Sequence, residues 1–401
     1  MKYIVILGDG MSDYPVPALG GKTPLECASK PDIDYLAKNG ELGMAKTIPD
    51  GMPMGSDVAN LSVMGYNPKE FYSGRSPLEA VSIGIKLSDS DVTFRCNLVT
   101  LSDNEPYEIK TMVDYSSDEI TTNEARQLIN FIDNELSTKD IHFFAGVSYR
   151  HCMVYNGTHT DYVLTPPHDI LERKISEYLP KGDNSGVIYD LMKKSFTLLK
   201  DHPINKDRIK RGLRPANSIW LWGQGTKPAI PLFYDKYKKK GAVISAVDLI
   251  KGIGICGGMK IIDVQGATGN INTNFWGKAQ AAIKELKGDT DFVYLHIEAP
   301  DECGHRQEID NKVKSIELID SQVVRPIMEG LSGMDYSILL MPDHPTPLML
   351  RTHTSDPVPY ILYRSNKETP SGATGYTEKE AEKTKVFVAE GHKLLDKLLN
   401  S

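Results

Sequence analysis

The sequence predicts an α/β protein whose main sheet is largely parallel, with a second, smaller α/β domain inserted into it. Three observations carry this expectation. Both ends of the chain alternate short apolar runs with helical periodicity. The residues able to ligate metals fall just after those runs, where open α/β sheets bind their ligands. The middle of the chain reads differently, with shorter strands and Pro-rich or basic loops.

The elements follow in order. Lys2–Leu7, with Tyr3-Ile4-Val5-Ile6-Leu7 inside it, is a buried strand, too short for a signal-peptide core and lacking a cleavage pattern. Thr23–Asn39 carries a helix that stops at Gly40. Thr122–Leu136 is a helix, and Ser218–Trp222 is strand-like. Gly241–Leu249 resumes buried apolar character. Phe292–His296 and Ser337–Met341 are buried strands by their apolar, partly β-branched make-up. Between them Asn311–Glu329 has helical periodicity, with Val313, Ile316, Ile319, Val323 and Val324 on one side. At 401 residues two domains are expected: one discontinuous, 1–80 with 241–401, and an insert over 81–240.

Bulk properties exclude several function classes. A net charge of -7 argues against a nucleic-acid binder. No stretch approaches the roughly 20 apolar residues of a membrane span. The five cysteines, Cys27, Cys96, Cys152, Cys256 and Cys303, are scattered and never in a C-x-x-C pair, which points to reduced thiols in a cytoplasmic protein.

The chemistry concentrates at strand ends. Asp301 and His305 stand four residues apart, on one face if the segment is helical, with Gly304 giving freedom to converge if it is a loop. Asp343-His344 is an adjacent pair after a strand, and His353 follows inside Arg351-Thr352-His353. Asp9 sits between Gly8 and Gly10, small neighbours that let the backbone approach an ion. Three carboxylates and three imidazoles make a mixed oxygen–nitrogen set that suits Mn, Zn, Mg or Fe. Six ligands match two ions, with water or substrate completing them. Singly, each residue is a cap or a turn former; the joint order, all at strand ends, does not arise that way. Between them in sequence lies Gly55-Ser56-Asp57 before the apolar Leu61–Met64. Ser56 there is either a helix N-cap or a phosphoryl acceptor at a helix start beside a metal.

Gly8-Asp9-Gly10-Met11, Gly21–Glu26, Gly55–Leu61, Gly266-Ala267-Thr268-Gly269, Asp301 with Gly304-His305, and Asp343-His344 with Thr352-His353 occur in this order. The set resembles the archaeal-type cofactor-independent phosphoglycerate mutases of the alkaline phosphatase superfamily, over essentially the whole chain. The resemblance implies an alkaline-phosphatase-like three-layer domain and an inserted phosphotransferase-type domain that closes over substrate and excludes water. It implies interconversion of 2- and 3-phosphoglycerate through phosphoserine at Ser56, with two divalent ions, usually Mn (Mg, Zn or Co being alternatives), and no 2,3-bisphosphoglycerate. Asp9, Ser56, Asp343 and His344 would share one ion, and Asp301, His305 and His353 the other. The expected partner is a small phosphorylated hydroxy acid, with no nucleic acid or membrane.

An anionic substrate needs cationic contacts, and arginine's fork suits carboxylate and phosphate. Arg150, His151, Arg208, Arg214, Asn217 and Thr268 are the expected contacts, the first three and Asn217 matching residues of the family; His168-Asp169 and Arg211 are further candidates. One departure stands out. After Met112–Ser116 relatives continue with Gly-His, where this chain has Asp118-Glu119. Carboxylates there repel a phosphate unless the loop points away. The alternative is therefore a related phosphotransferase on another small substrate, such as a homoserine kinase, or a phosphatase. No Walker-type loop supports nucleotide binding.

Overall fold

The computed structural model describes residues 1–400 of the chain, which divide into two compact units. One comprises Met1–Tyr72 with the described residues from Ala229 onward, and the other Ser73–Pro228. Both joints lie earlier in the chain than residues 81 and 240. The helix Ser76–Ser82 packs on the second unit's sheet, while Phe233 of the helix Phe233–Tyr237 stacks on Phe292 in the first.

Strands β1 (Lys2–Gly8) and β2 (Glu41–Ala45) precede the second unit. That unit contains β3 (Asp91–Leu101), β4 (Met112–Asp114), β5 (Ile141–Val147), β6 (Arg150–Asn156) and β7 (Ser218–Thr226). After it come β8 (Gly241–Ile244), β9 (Lys260–Ile262), β10 (Phe292–Ile297), β11 (Tyr336–Met341), β12 (Val358–Arg364) and β13 (Phe387–Val388).

The first unit is built on an eight-stranded sheet in the order β13-β2-β12-β11-β1-β10-β8-β9. Only β12 runs against its neighbours. The central strands β1, β10 and β11 are predominantly apolar because both sheet faces are covered. Ile4, Ile6, Val293, Leu295, Ile338 and Leu340 face one layer, packed with Ile33, Leu36, Ala279, Ile316 and Ile319. On the other side the helices Ser56–Val63, Asp248–Cys256 and Leu394–Leu399 close the third layer.

Two helical expectations are refined. Thr23–Asn39 is two helices, Pro24–Cys27 and Pro31–Asn39. Pro31 bars Lys30 from helical geometry and restarts the helix at its first position. This second helix has no cap from its own N-cap side chain. The cap comes from afar: Asp320 Oδ1 accepts the Ile33 N–H at 2.7 Å. Asp320 itself opens a π-helical turn, Asp320–Val324, that joins Ile309–Ile319 to Arg325–Gly330. The long helical period read over 311–329 is thus one rod with a π-turn in it.

The second unit is an antiparallel sheet on β3, which pairs with β4, β6 and β7, with β5 beyond β6. The helices Thr122–Leu136 and Ser185–Leu199 pack on it around Phe94, Leu98, Leu128, Ile132, Met192, Phe196 and Trp220. Its two ends meet: Ser73 Oγ donates to the Thr226 carbonyl, and Thr226 N–H donates back to the Ser73 carbonyl at 3.2 Å. Among the described residues no helix is long and apolar enough to cross a membrane.

Candidate active site

Parallel pairing of β11, β1 and β10 sets three carboxyl-terminal strand ends side by side. Asp9 leaves β1, Asp343 and His344 leave β11, and Asp301 follows β10 in the first turn of the helix Ala299–Arg306. Asp301 and His305 therefore share one helical face. Gly304 serves that helix by close approach, because a Cβ there would lie 2.5 Å from the Thr346 carbonyl oxygen. Gly10 does the same for β1, with φ of +60° and a Cβ position 2.7 Å from Asp301 Oδ1.

All six sequence-predicted donors converge. His344 Nε2 lies 3.3 Å from Asp343 Oδ2 and 3.6 Å from Asp9 Oδ1. His305 Nε2 and His353 Nε2 lie 3.3 and 3.4 Å from the two oxygens of Asp301. Single donor atoms of Asp9, Asp343 and His344 fall within 4.8 Å of one another, as do those of Asp301, His344 and His353. His344 therefore stands between the two sets.

Ser56 opens the helix Ser56–Val63, with Gly55 as its N-cap and no side-chain cap bond. Its hydroxyl instead lies 3.1 Å from His344 Nε2. The cap role that the sequence left open is therefore not taken up: Ser56 faces the carboxylate–imidazole cluster.

The electrostatics demand positive charge. Burial, then the carboxylates of Asp343, Asp301 and Glu298, push the Asp9 carboxyl well above the usual range. Asp9 Oδ1 is buried with no hydrogen-bond partner. The Asp301 bond pushes His305 up to about 9. The Nε2 atoms of His305 and His353 face each other at 2.9 Å, where two lone pairs repel unless a proton or cation lies between them. An orphaned carboxylate oxygen and opposed imidazole nitrogens fit divalent metal ions, which satisfy both.

Outer contacts orient these donors. Asp343 accepts from Gly10 N–H at 3.2 Å and Asn60 Nδ2 at 2.7 Å, and Asn60 Oδ1 accepts from Tyr294 Oη at 2.6 Å. The Thr346 hydroxyl donates to Asp301. His305 and His353 direct Nδ1 to the carbonyls of Arg351 and Met54. Asn60, Tyr294, Thr346 and His296 were not anticipated as site residues. The available signal was a polar residue at alternate positions of an otherwise apolar strand, Tyr294 and His296 in β10.

The expected substrate contacts divide. Arg208 is 1% exposed, and its guanidinium donates to Glu124, the Ser117 carbonyl and the Arg214 carbonyl. Asn217 is buried and bonds both backbone groups of Leu101. Both residues turn their recorded bonds inward, within the second unit, which does not favour the substrate contact expected of them. His151 is buried too. Its Nδ1 accepts from Gly146 N–H, and burial holds the imidazole down to about 3, so it is neutral. Thr268 is exposed and bonded to Asn270 within its turn. Arg150 is exposed, with its guanidinium over the Tyr149 ring. Beside it lies a cluster that sequence reasoning missed: Arg75 and Arg95 grip the two oxygens of Glu79 at 2.8 and 2.9 Å, and Arg95 lies over Trp222.

Asp118 and Glu119 lie in a left-handed stretch, Ser117–Glu119. Asp118 Oδ2 accepts from Arg214 N–H at 2.7 Å, and Oδ1 lies 3.6 Å from the Arg214 guanidinium, which also bonds Asp114. The unusual carboxylate is thus partnered by arginine, and Arg214, half exposed, already holds two acids.

Comparison with known proteins places these features. A family model for 2,3-bisphosphoglycerate-independent phosphoglycerate mutase matches residues 37–205. A protein of that name from Methanosarcina barkeri is 49% identical over 406 residues, covering all of both chains. A Geobacter sulfurreducens protein named as a probable one is 48% identical, again over both full lengths. Among solved structures, a Pyrococcus horikoshii protein superposes with a TM-score of 0.83 at 31% identity, covering 100% of this chain and 96% of its own. The cofactor-independent phosphoglycerate mutase from Thermoplasma acidophilum superposes with a TM-score of 0.69 at 26% identity, covering 100% and 99%.

Proposed function

Because the chain belongs to the family of 2,3-bisphosphoglycerate-independent phosphoglycerate mutases, we propose that it interconverts 2-phosphoglycerate and 3-phosphoglycerate through a phosphoserine at Ser56. The observation that carries the proposal is the Ser56 hydroxyl, 3.1 Å from His344 Nε2 and facing the buried carboxylates. Asp9, Ser56, Asp343 and His344 would hold one divalent ion and Asp301, His305 and His353 a second. Manganese is the metal that the family likeness favours, and bound ions supply charge stabilisation to the oxygens around the transferred phosphorus.

The chain's own residues do the rest. Ser56 Oγ gives up its proton and forms a bond to phosphorus as the bond from phosphorus to the substrate's oxygen breaks, and that oxygen leaves as a hydroxyl after taking a proton. The other hydroxyl of the retained glycerate then attacks phosphoserine, loses its proton, and frees Ser56. Placement of Ser56 at the start of a helix favours the anionic phosphoester through the helix dipole. Asn60 and Gly10 fix Asp343, and Thr346 fixes Asp301, so the donors need no rearrangement during the reaction.

Within the second unit, Arg150 with Arg75 and Arg95 is our assignment for an anionic group of the substrate. Glu79 neutralises only one of the three charges. The alternative of a homoserine kinase is not favoured: relatives near half identity over the full length are named as mutases, and Asp118, its motive, is partnered by Arg214. Five free cysteines support a reducing compartment, and hence a cytoplasmic enzyme.

The test is purified protein with Mn and 3-phosphoglycerate, followed by phosphorus NMR. The expected result is growth of the 2-phosphoglycerate resonance, abolished in Ser56→Ala. A fully active Ser56→Ala protein would sink the covalent route. No isomerisation, together with ATP-dependent phosphorylation of homoserine, would overturn the mutase reading.

A further inference from the structure

His296 is the penultimate residue of β10, wholly buried between the apolar Leu295 and Ile297. A buried imidazole needs partners for both nitrogens, and this one has them. Nε2 lies 2.9 Å from Asp9 Oδ2, and Nδ1 lies 3.2 Å from Ser245 Oγ. Ser245, also buried, accepts the Val247 N–H at 3.0 Å. Asp9, as an ion-holding carboxylate, only accepts, so the ring's proton sits on Nε2 and Nε2–H donates to Asp9 Oδ2. Ser245 Oγ, which accepts from Val247, then donates its own proton to Nδ1 and holds that tautomer. A protonated Nε2 offers no lone pair, so His296 is not itself a ligand even though it lies among Asp9 and Glu298. The backbone supports the ring's position as well, since buried Lys278 donates through Nζ to the His296 carbonyl at 3.1 Å.

The result is an asymmetric carboxylate. Oδ2 of Asp9 is tied to His296, while Oδ1 is buried, without a hydrogen-bond partner, and 3.6 Å from His344 Nε2. A carboxylate free to rotate would present either oxygen, or both. Here one oxygen is withdrawn by the hydrogen bond and the other is aimed at the donor set.

We propose that His296, with its tautomer held by Ser245, is a positioning residue that fixes Asp9 so that Oδ1 alone is presented to the ion shared with Asp343 and His344. The inference rests on the reading of Asp9 as a metal ligand. It concerns metal affinity before it concerns turnover, and second contacts of this kind are worth about 10–100-fold in affinity.

The experiment is titration of metal-stripped protein with Mn2+, read by calorimetry and by the electron paramagnetic resonance signal of free Mn2+, with circular dichroism as the control for folding. Asp9→Asn identifies which of the two binding events belongs to this ion. His296→Leu is expected to weaken that event about 10–100-fold and leave the other unchanged. His296→Gln, which returns an N–H donor at similar reach, should recover most of the loss; a merely space-filling role predicts no such recovery. Ser245→Ala keeps the ring and removes the group that holds its tautomer, so it should weaken the same event by a smaller factor. This variant and His296→Gln carry the test if His296→Leu does not fold. A folded His296→Leu with both events unchanged overturns the proposal, as does a His296→Gln protein no tighter than His296→Leu. Unvaried protein with no binding event sensitive to Asp9→Asn overturns the metal reading itself, and this inference with it.

Discussion

At the scale of single residues, burial separates arginines that reach solvent from arginines that bind protein. Arg208 matches the family's sequence pattern, yet all its work is internal, with Glu124 and two carbonyls as acceptors. Arg208→Met should cost about 3 kcal/mol in urea unfolding, since two carbonyls lose their donor while Arg211 still pairs with Glu124. The KM for 3-phosphoglycerate in the folded fraction should not change. Gly10 makes the opposite case, a residue with no side chain on which the site depends. Gly10→Ala would place Cβ 2.5 Å from Thr346 Oγ1 and 2.7 Å from Asp301 Oδ1, at a φ that alanine resists. Elemental analysis should find the variant folded but deficient in metal. The convergence of six carboxylates and imidazoles was legible in sequence because such groups clustered at the ends of buried apolar runs seldom serve the fold alone. Asn60, Thr346 and His296 were not, because a residue that orients a ligand has no distinguishing chemistry until its neighbour is known.

At the scale of elements, apolar runs gave the central strands to within a residue, since a strand buried on both faces has one composition. The helical reading over Thr23–Asn39 failed at Pro31, a local signal, whereas the cap of the helix that Pro31 starts depends on a distant contact. Nothing near Pro31 announces that its helix is capped by Asp320, nearly three hundred residues away in sequence (Asp320 Oδ1 to Ile33 N, 2.7 Å). That cap has a pH signature. Burial, followed by the Asp32 charge, raises Asp320 to about 6 from 3.8, although the Ile33 bond opposes the rise. The native state then holds the proton more tightly than the unfolded chain. Its contribution to stability is present below about 3.8 and is lost as pH rises through about 6. Asp320→Asn keeps an oxygen for Ile33 N–H and has nothing to ionise. Differential scanning calorimetry should show the variant's Tm advantage over the parent opening as pH is raised from 4 to 7. A constant difference would refute this origin.

At the scale of the whole molecule, the insert was legible as a change of character along the chain, but its joints were not. Their position depends on which sheet the helix Ser76–Ser82 and the helix Phe233–Tyr237 pack against, information that no local pattern holds. The second unit is contiguous, Ser73–Pro228, with its own apolar core and with its ends paired at Ser73 and Thr226. Expressed alone, residues 73–228 should unfold in one cooperative thermal transition by circular dichroism and bind no Mn2+, because all the residues proposed as metal donors lie in the other unit. A non-cooperative melt would show that its core needs the remainder of the chain.

The place of β1 between β10 and β11 also governs how the protein is made. Lys2–Gly8 is synthesised long before its partners, both of which lie after residue 290. At roughly 5–20 residues per second the interval is on the order of 15–60 s. Throughout it, Tyr3–Leu7 is an apolar strand with neither edge paired, the kind of segment that nucleates aggregation. The second unit, complete well before β10 emerges, has no such wait. The risk in biosynthesis therefore falls on Lys2–Gly8 and on whatever shields this strand until β10 and β11 have been made.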